Sequence, residues 1–175
     1  RARRLLKSAC VVLGSITAFE TAFAQEVVSA SADVTIDHGA GIVATDQDVV
    51  VDNQAGIKAL EGLGALPQAS DVVALGQDVN GDRLLAFANT TPLPGGTVAR
   101  RGDVVRYDGA AYSVDFDAVS AGVPPAIATD ATSIAPGGLL LSFDTAFDLG
   151  GGLVVADEDL VRWNGASFSV VFDGS

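Results

Sequence analysis

Residues 105–117 read VRYDGAAYSVDFD, and residues 161–173 read VRWNGASFSVVFD. Nearly the same phrase stands twice in one chain, 56 positions apart. In AYSVDFD, Tyr112, Val114 and Phe116 alternate with Ser113, Asp115 and Asp117. In SFSVVFD, Phe168, Val170 and Phe172 alternate with Ser169, Val171 and Asp173. A period of two marks a strand with one buried face, which puts Tyr112 and Phe116 on one side and, likewise, Phe168 and Phe172. The preceding DVVRY and DLVRW are also strand-like. Asp108-Gly109 and Asn164-Gly165 lie between the strands as hairpin turns, since these residue types accept positive φ.

The match extends well beyond the phrase. At the same offset Leu85 falls on Leu141, Phe87 on Phe143, Gly95 on Gly151, Asp103 on Asp159 and Tyr107 on Trp163, without a gap. This defines a unit at 64–119 and another at 120–175. RLLAF and LLLSF supply a further strand in each, introduced by the turns Asn80-Gly81-Asp82 and Pro136-Gly137-Gly138. A weaker strand precedes each turn, near Val72–Leu75 and Ala128–Ser133. Residues 33–63 read as a degenerate first copy, with Asp48 in the place of Asp103 and Asp159, and 25–32 as a loose leader. No stretch after residue 24 has helical periodicity. The expected fold is all-β: tandem four-stranded antiparallel meanders, arranged like propeller blades in a partial propeller or packed as a sandwich. A lone meander cannot cover its apolar face, whereas stacked copies cover one another. The recurring aromatics then read as packing between units rather than as a sugar-binding platform.

The phrases LLLSFDTAFDLGG, VVADEDLVRWNG and SFSVVFDGS, with DVNGDRLLAF, RGDVVRYDG and AYSVDFD, resemble a tandem repeat of exported, uncharacterised proteins of Gram-negative bacteria. The resemblance covers 64–175 well and 33–63 poorly. It carries no catalytic residue. Four strands per repeat look like the blade of a β-propeller, an analogy of architecture and not of function. Closure takes at least four blades, more than two units and a remnant supply. Open sheet edges invite pairing with another chain, including a second copy.

The first 24 residues have the form of a secretory signal peptide. Arg1, Arg3, Arg4 and Lys7 precede an apolar run from Ser8 to Phe19, and Ala22-Phe23-Ala24 offers a cleavage site. The apolar run is too short for a membrane anchor. Export to the periplasm or beyond is the expectation. Removal of residues 1–24 takes away the only cysteine, Cys10, so the remainder forms no disulfide. It also changes the balance from 10 basic and 22 acidic residues to six and 21, a net charge of −15. Such a chain repels nucleic acid and anionic lipid.

Few residues suggest chemistry. Asp78, Asn80 and Asp82 stand at positions 1, 3 and 5 of a D-x-[DN]-x-[DN] calcium loop, where short oxygen side chains curl round a hard cation. Arg83 stands where that loop needs glycine, and Asn89 where it needs a bidentate glutamate, so a plain hairpin turn competes. In ADEDL, residues 156–160, Asp157 and Asp159 share a face if the stretch is a strand, as a cation site or an acid/base pair would require. Only Asp159 has an acidic counterpart, Asp103, which favours a role in the fold. His38, the only histidine, lies in a turn sequence, DHGAG, with no evident triad. The RGD at 101–103 uses the same Asp103. No catalytic residue or required cofactor is expected. The expectation is a non-enzymatic exported module that binds or builds. A calcium-dependent adhesion module and a fragment of a larger propeller enzyme are the alternatives.

Overall fold

The structure is a computed structural model that describes residues 28–30, 35–39, 41–52 and 58–174. The expected signal peptide lies outside these residues. The described chain is all-β, with a single 3-10 turn at Pro94–Gly96. In order, the strands are β1 (Val28–Ala30), β2 (Ile36–Asp37), β3 (Val43–Ala44), β4 (Val50–Asp52), β5 (Lys58–Leu60), β6 (Val72–Gln77), β7 (Arg83–Phe87), β8 (Thr91–Pro92) and β9 (Val98–Ala99). They continue as β10 (Val104–Tyr107), β11 (Tyr112–Phe116), β12 (Thr129–Ala135), β13 (Gly138–Phe143), β14 (Phe147–Asp148), β15 (Val154–Val155), β16 (Leu160–Trp163) and β17 (Phe168–Phe172).

Two four-stranded antiparallel meanders dominate: a middle sheet, β6-β7-β10-β11, and a last sheet, β12-β13-β16-β17. The first sheet has three strands, β1-β4-β5. The stretch read as a loose leader therefore contributes β1, whose Ala30 pairs with Val50. Small hairpins, β2–β3, β8–β9 and β14–β15, interrupt the three sheets at corresponding places. Sequence reading passed over these two-residue strands, which are too short to show alternation.

The strand pairing of the last two sheets agrees position for position. Val105↔Val114, Arg106↔Ser113 and Tyr107↔Tyr112 match Val161↔Val170, Arg162↔Ser169 and Trp163↔Phe168, all at an offset of 56. The gapless alignment fails at one place. Gln77 pairs with Arg83 and Ile134 with Leu139, so the first strands are offset by 57 and the turn after β12 is one residue shorter. Asp78 therefore corresponds to Ala135.

A β-bulge corrects the simple alternation. Val104 pairs with Phe116 but Val105 with Val114, which leaves Asp115 as the extra residue. The same shift makes Val171 the extra residue of β17. An added residue sends everything beyond it to the opposite face. Tyr112 therefore packs towards the first sheet, with Tyr107, Leu85, Phe87, Val49 and Leu63. Phe116 packs the other way, with Leu84, Val104, Leu141, Phe143 and Val161, against Trp163 and Phe168. The middle sheet thus has apolar side chains on both faces, each covered by a neighbour. Burying a side chain of this size is worth about 1.5–3 kcal/mol.

The sheets stack closest where β6 meets β12. A Cβ on Gly76 would come within 2.7 Å of the Thr132 carbonyl oxygen, so only glycine allows this approach. Arg101 Nη2 donates to Asp144 Oδ2 at 2.5 Å, and Thr129 Oγ1 donates to the Gly102 carbonyl at 2.7 Å; both ties join middle and last sheets.

Candidate interaction face

The acidic residues divide by what they accept. Asp48, Asp103 and Asp159 each take a backbone N–H from three residues upstream, Thr45, Arg100 and Ala156, at 2.9 Å in every case. The second oxygen of Asp103 accepts from Ala118 N, and that of Asp159 from Gly174 N, again at 2.9 Å. These are turn-closing aspartates, with both oxygens of Asp103 and Asp159 in use. Burial pushes the Asp103 carboxyl above the usual range, while the N–H groups of Arg100 and Ala118 pull it down. With Asp103 only 2% exposed, the RGD triplet displays no free carboxylate.

Asp157 and Glu158 lie in a turn rather than on a strand, so Asp157 and Asp159 do not share a strand face. The exposed pair shares a hydrogen bond that lowers Asp157 and raises Glu158. His38 lies in the hairpin joining β2 and β3, its N–H donating to Ile42 O at 2.9 Å.

Asp78, Asn80 and Asp82 do come together, in the turn between β6 and β7. Asp78 Oδ1 accepts the N–H groups of Asn80 at 2.8 Å and Asp82 at 2.9 Å. Asp78 Oδ2 accepts from Arg106 Nη1, and Asn80 Nδ2 donates to it at 3.3 Å. Arg106 also stands 3.7 Å from Asp82 Oδ2 and bonds Asp115 Oδ1 at 2.9 Å. Three carboxylates thus surround one guanidinium. A calcium ion bound by Asp78 would have to displace Arg106. Among the described residues no group of three or more His, Cys, Asp or Glu side chains is placed to hold a metal.

The last sheet keeps the arginine without its acids. Arg162 corresponds to Arg106, but Asp78, Asp82 and Asp115 have become Ala135, Gly138 and Val171. The Nε of Arg162 is buried without a hydrogen-bond partner, and among the described residues Arg162 takes part in no ion pair. An unmatched polar group of this kind costs about 1–3 kcal/mol.

The surface around Arg162 differs in the same sense. In the middle sheet Leu84 and Val104 are fully buried and Phe116 is 1% exposed. Their counterparts are Leu140 and Leu160, both half-buried, and Phe172, 60% exposed. None of these three belongs to either core cluster. The last sheet therefore carries a face built like one that is covered in the middle sheet, and left uncovered here. The alternation reading placed Phe172 beside Phe168 and so missed this face. The signal in the sequence was the loss of all three acids around a retained arginine.

At the opposite end of the stack the chemistry is different. Asp52↔Lys58 pair where the other sheets pair Tyr107↔Tyr112 and Trp163↔Phe168. Both aromatic pairs have ring centroids 4.6 Å apart, whereas Lys58 and Asp52 form an exposed ion pair at 4.0 Å. A hollow of 190 Å³ lies beside Gln47, Asp48, Glu61 and Leu63. It is smaller than the roughly 300–1,000 Å³ of small-molecule sites. No protein-family model, curated protein or solved structure matches the chain.

Proposed function

We propose that this chain is a non-enzymatic, exported repeat domain that serves as a structural or interaction module in the periplasm or outside the cell. The observation that carries this reading is the uncovered face of the last sheet, with Phe172 60% exposed. Exposed aromatic surface next to half-buried leucines marks a contact site for another molecule. The acids most suggestive of chemistry support the same reading. Asp103 and Asp159 close turns, and Asp78 pairs with Arg106. The basic, apolar and small-residue order of residues 1–24 supports export.

Two experiments test the proposal. Residues 1–32 fused to a reporter that is active only outside the cytoplasm should give activity, and an inactive fusion argues against export. The purified chain should turn over nothing in a panel of glycans, esters and peptides. Turnover that co-purifies with the chain and is abolished by a point substitution overturns the non-enzymatic reading.

A further inference from the structure

We propose that the uncovered face of the last sheet is a docking site for one further four-stranded antiparallel sheet of the same kind, which lays an aromatic pair over Phe172 and brings a carboxylate to Arg162. The inference rests on the interaction-module reading and names the partner.

Continuity with the interface already formed is the first argument. Leu84, Val104 and Phe116 of the middle sheet are covered by the last sheet, through Leu141, Phe143, Val161, Trp163 and Phe168. Phe116 meets the rings of Trp163 and Phe168 edge-on, with centroids 5.8 and 6.1 Å away. Leu140, Leu160 and Phe172 repeat that surface at the same register positions, so the surface that complements them is the one Trp163 and Phe168 belong to. The bulge at Val171 turns Phe172 to the uncovered face. In the middle sheet the same bulge turns Phe116 into a core.

Charge supplies the second argument. Arg106 is neutralised within its own sheet by Asp78, Asp82 and Asp115. Arg162 has none of these, and among the described residues it takes part in no ion pair. An incoming carboxylate would pair with its guanidinium.

A second copy of this chain is the less suitable occupant. Head-to-tail association would press the Asp52–Lys58 pair of the first sheet, which has no aromatic pair, onto Phe172. Tail-to-tail association would bring two copies of Arg162 to one interface, and like charges oppose that.

The test uses the full chain beside the same chain extended after Ser175 by a second copy of residues 120–175. The probe is Ser169→Cys in both, which pairs with Arg162 on the uncovered face and keeps Phe172, with thiol labelling followed at its own peptide by mass spectrometry. Labelling should slow at least tenfold in the extended chain. Placing aspartate and lysine at the appended equivalents of Trp163 and Phe168 should restore the fast rate. Equal rates in the extended and unextended chains overturn the proposal. So does tryptophan emission showing the added ring in water, since the face has then failed to order the unit. Sedimentation of the unextended chain should show a monomer. A dimer abolished by Phe172→Asp makes a second copy the occupant and also overturns it. None of these outcomes bears on turnover, so failure here is distinct from failure of the non-enzymatic reading.

Discussion

The middle and last sheets share their pairing register, their turn-closing aspartate, their bulge and their arginine, yet they differ in what surrounds the last two. Among the described residues, Phe116 and Arg106 have packing and ion-pair partners; Phe172 and Arg162 do not. The difference separates what a meander needs to form from what it needs to be stable in company. Strand pairing and turns are complete in both sheets. Only the packing and charge matching of one face are missing from the last.

The largest expected contrast is between the two phenylalanines. Phe116→Ala should cost about 3–5 kcal/mol, because it opens a cavity under Trp163 and Phe168. Phe172→Ala should stay within about 0.5 kcal/mol, as for most surface substitutions. Chemical denaturation of both variants measures the gap, and equal costs would erase the distinction between the faces.

The arginines give the next contrast. Arg106→Met should destabilise by about 3 kcal/mol, since it strands Asp78, whose side chain is 2% exposed. Arg162→Met should be neutral or stabilising, since Arg162 takes part in no ion pair among the described residues. If calcium rather than Arg106 were the cation of the 78–82 turn, millimolar calcium would raise the melting temperature of the unsubstituted chain. With Arg106 in that role, calcium shifts nothing.

Asp103→Ala and Asp159→Ala should each cost about 1–3 kcal/mol, because each leaves two backbone N–H groups without an acceptor. The turn serves the same purpose in both sheets, so similar costs are expected. A much smaller cost at Asp159 would mean that the last sheet holds its turns loosely as well as its face.

The smallest effect concerns Tyr112, whose hydroxyl donates to the Leu63 carbonyl. Burial first, and then neighbouring Tyr107, push its ionisation above the ordinary range. A raised folded value means stability is complete below the unfolded value, about 10, and is lost as pH rises towards the folded one. Unfolding followed from pH 9 to 12 should show that alkaline loss. Tyr112→Phe should remove it at a cost of about 1 kcal/mol near neutrality.

Much of this architecture was legible in the sequence. The doubled phrase gave the strands and turns of two sheets, because period-two burial and positive-φ turn residues are local properties. Asp103 and Asp159 were readable as fold residues because both stand at the same place in the two units, while Asp157 and Glu158 have no acidic counterparts at 101–102. The bulge was not legible. The extra residues, Asp115 and Val171, fit an unbroken alternation in the sequence, so period two alone put Phe116 and Phe172 on the wrong face. The role of Asp78 was hidden for a different reason. Its cation, Arg106, lies 28 residues away, and only strand pairing brings the two together.

The extra residue in the outermost strand has a consequence for how such sheets accumulate. With regular alternation, that strand would place all its rings on one side, and two sheets would close on each other as a finished pair. By placing one ring on each side, the irregularity lets the middle sheet receive a neighbour on each face at once.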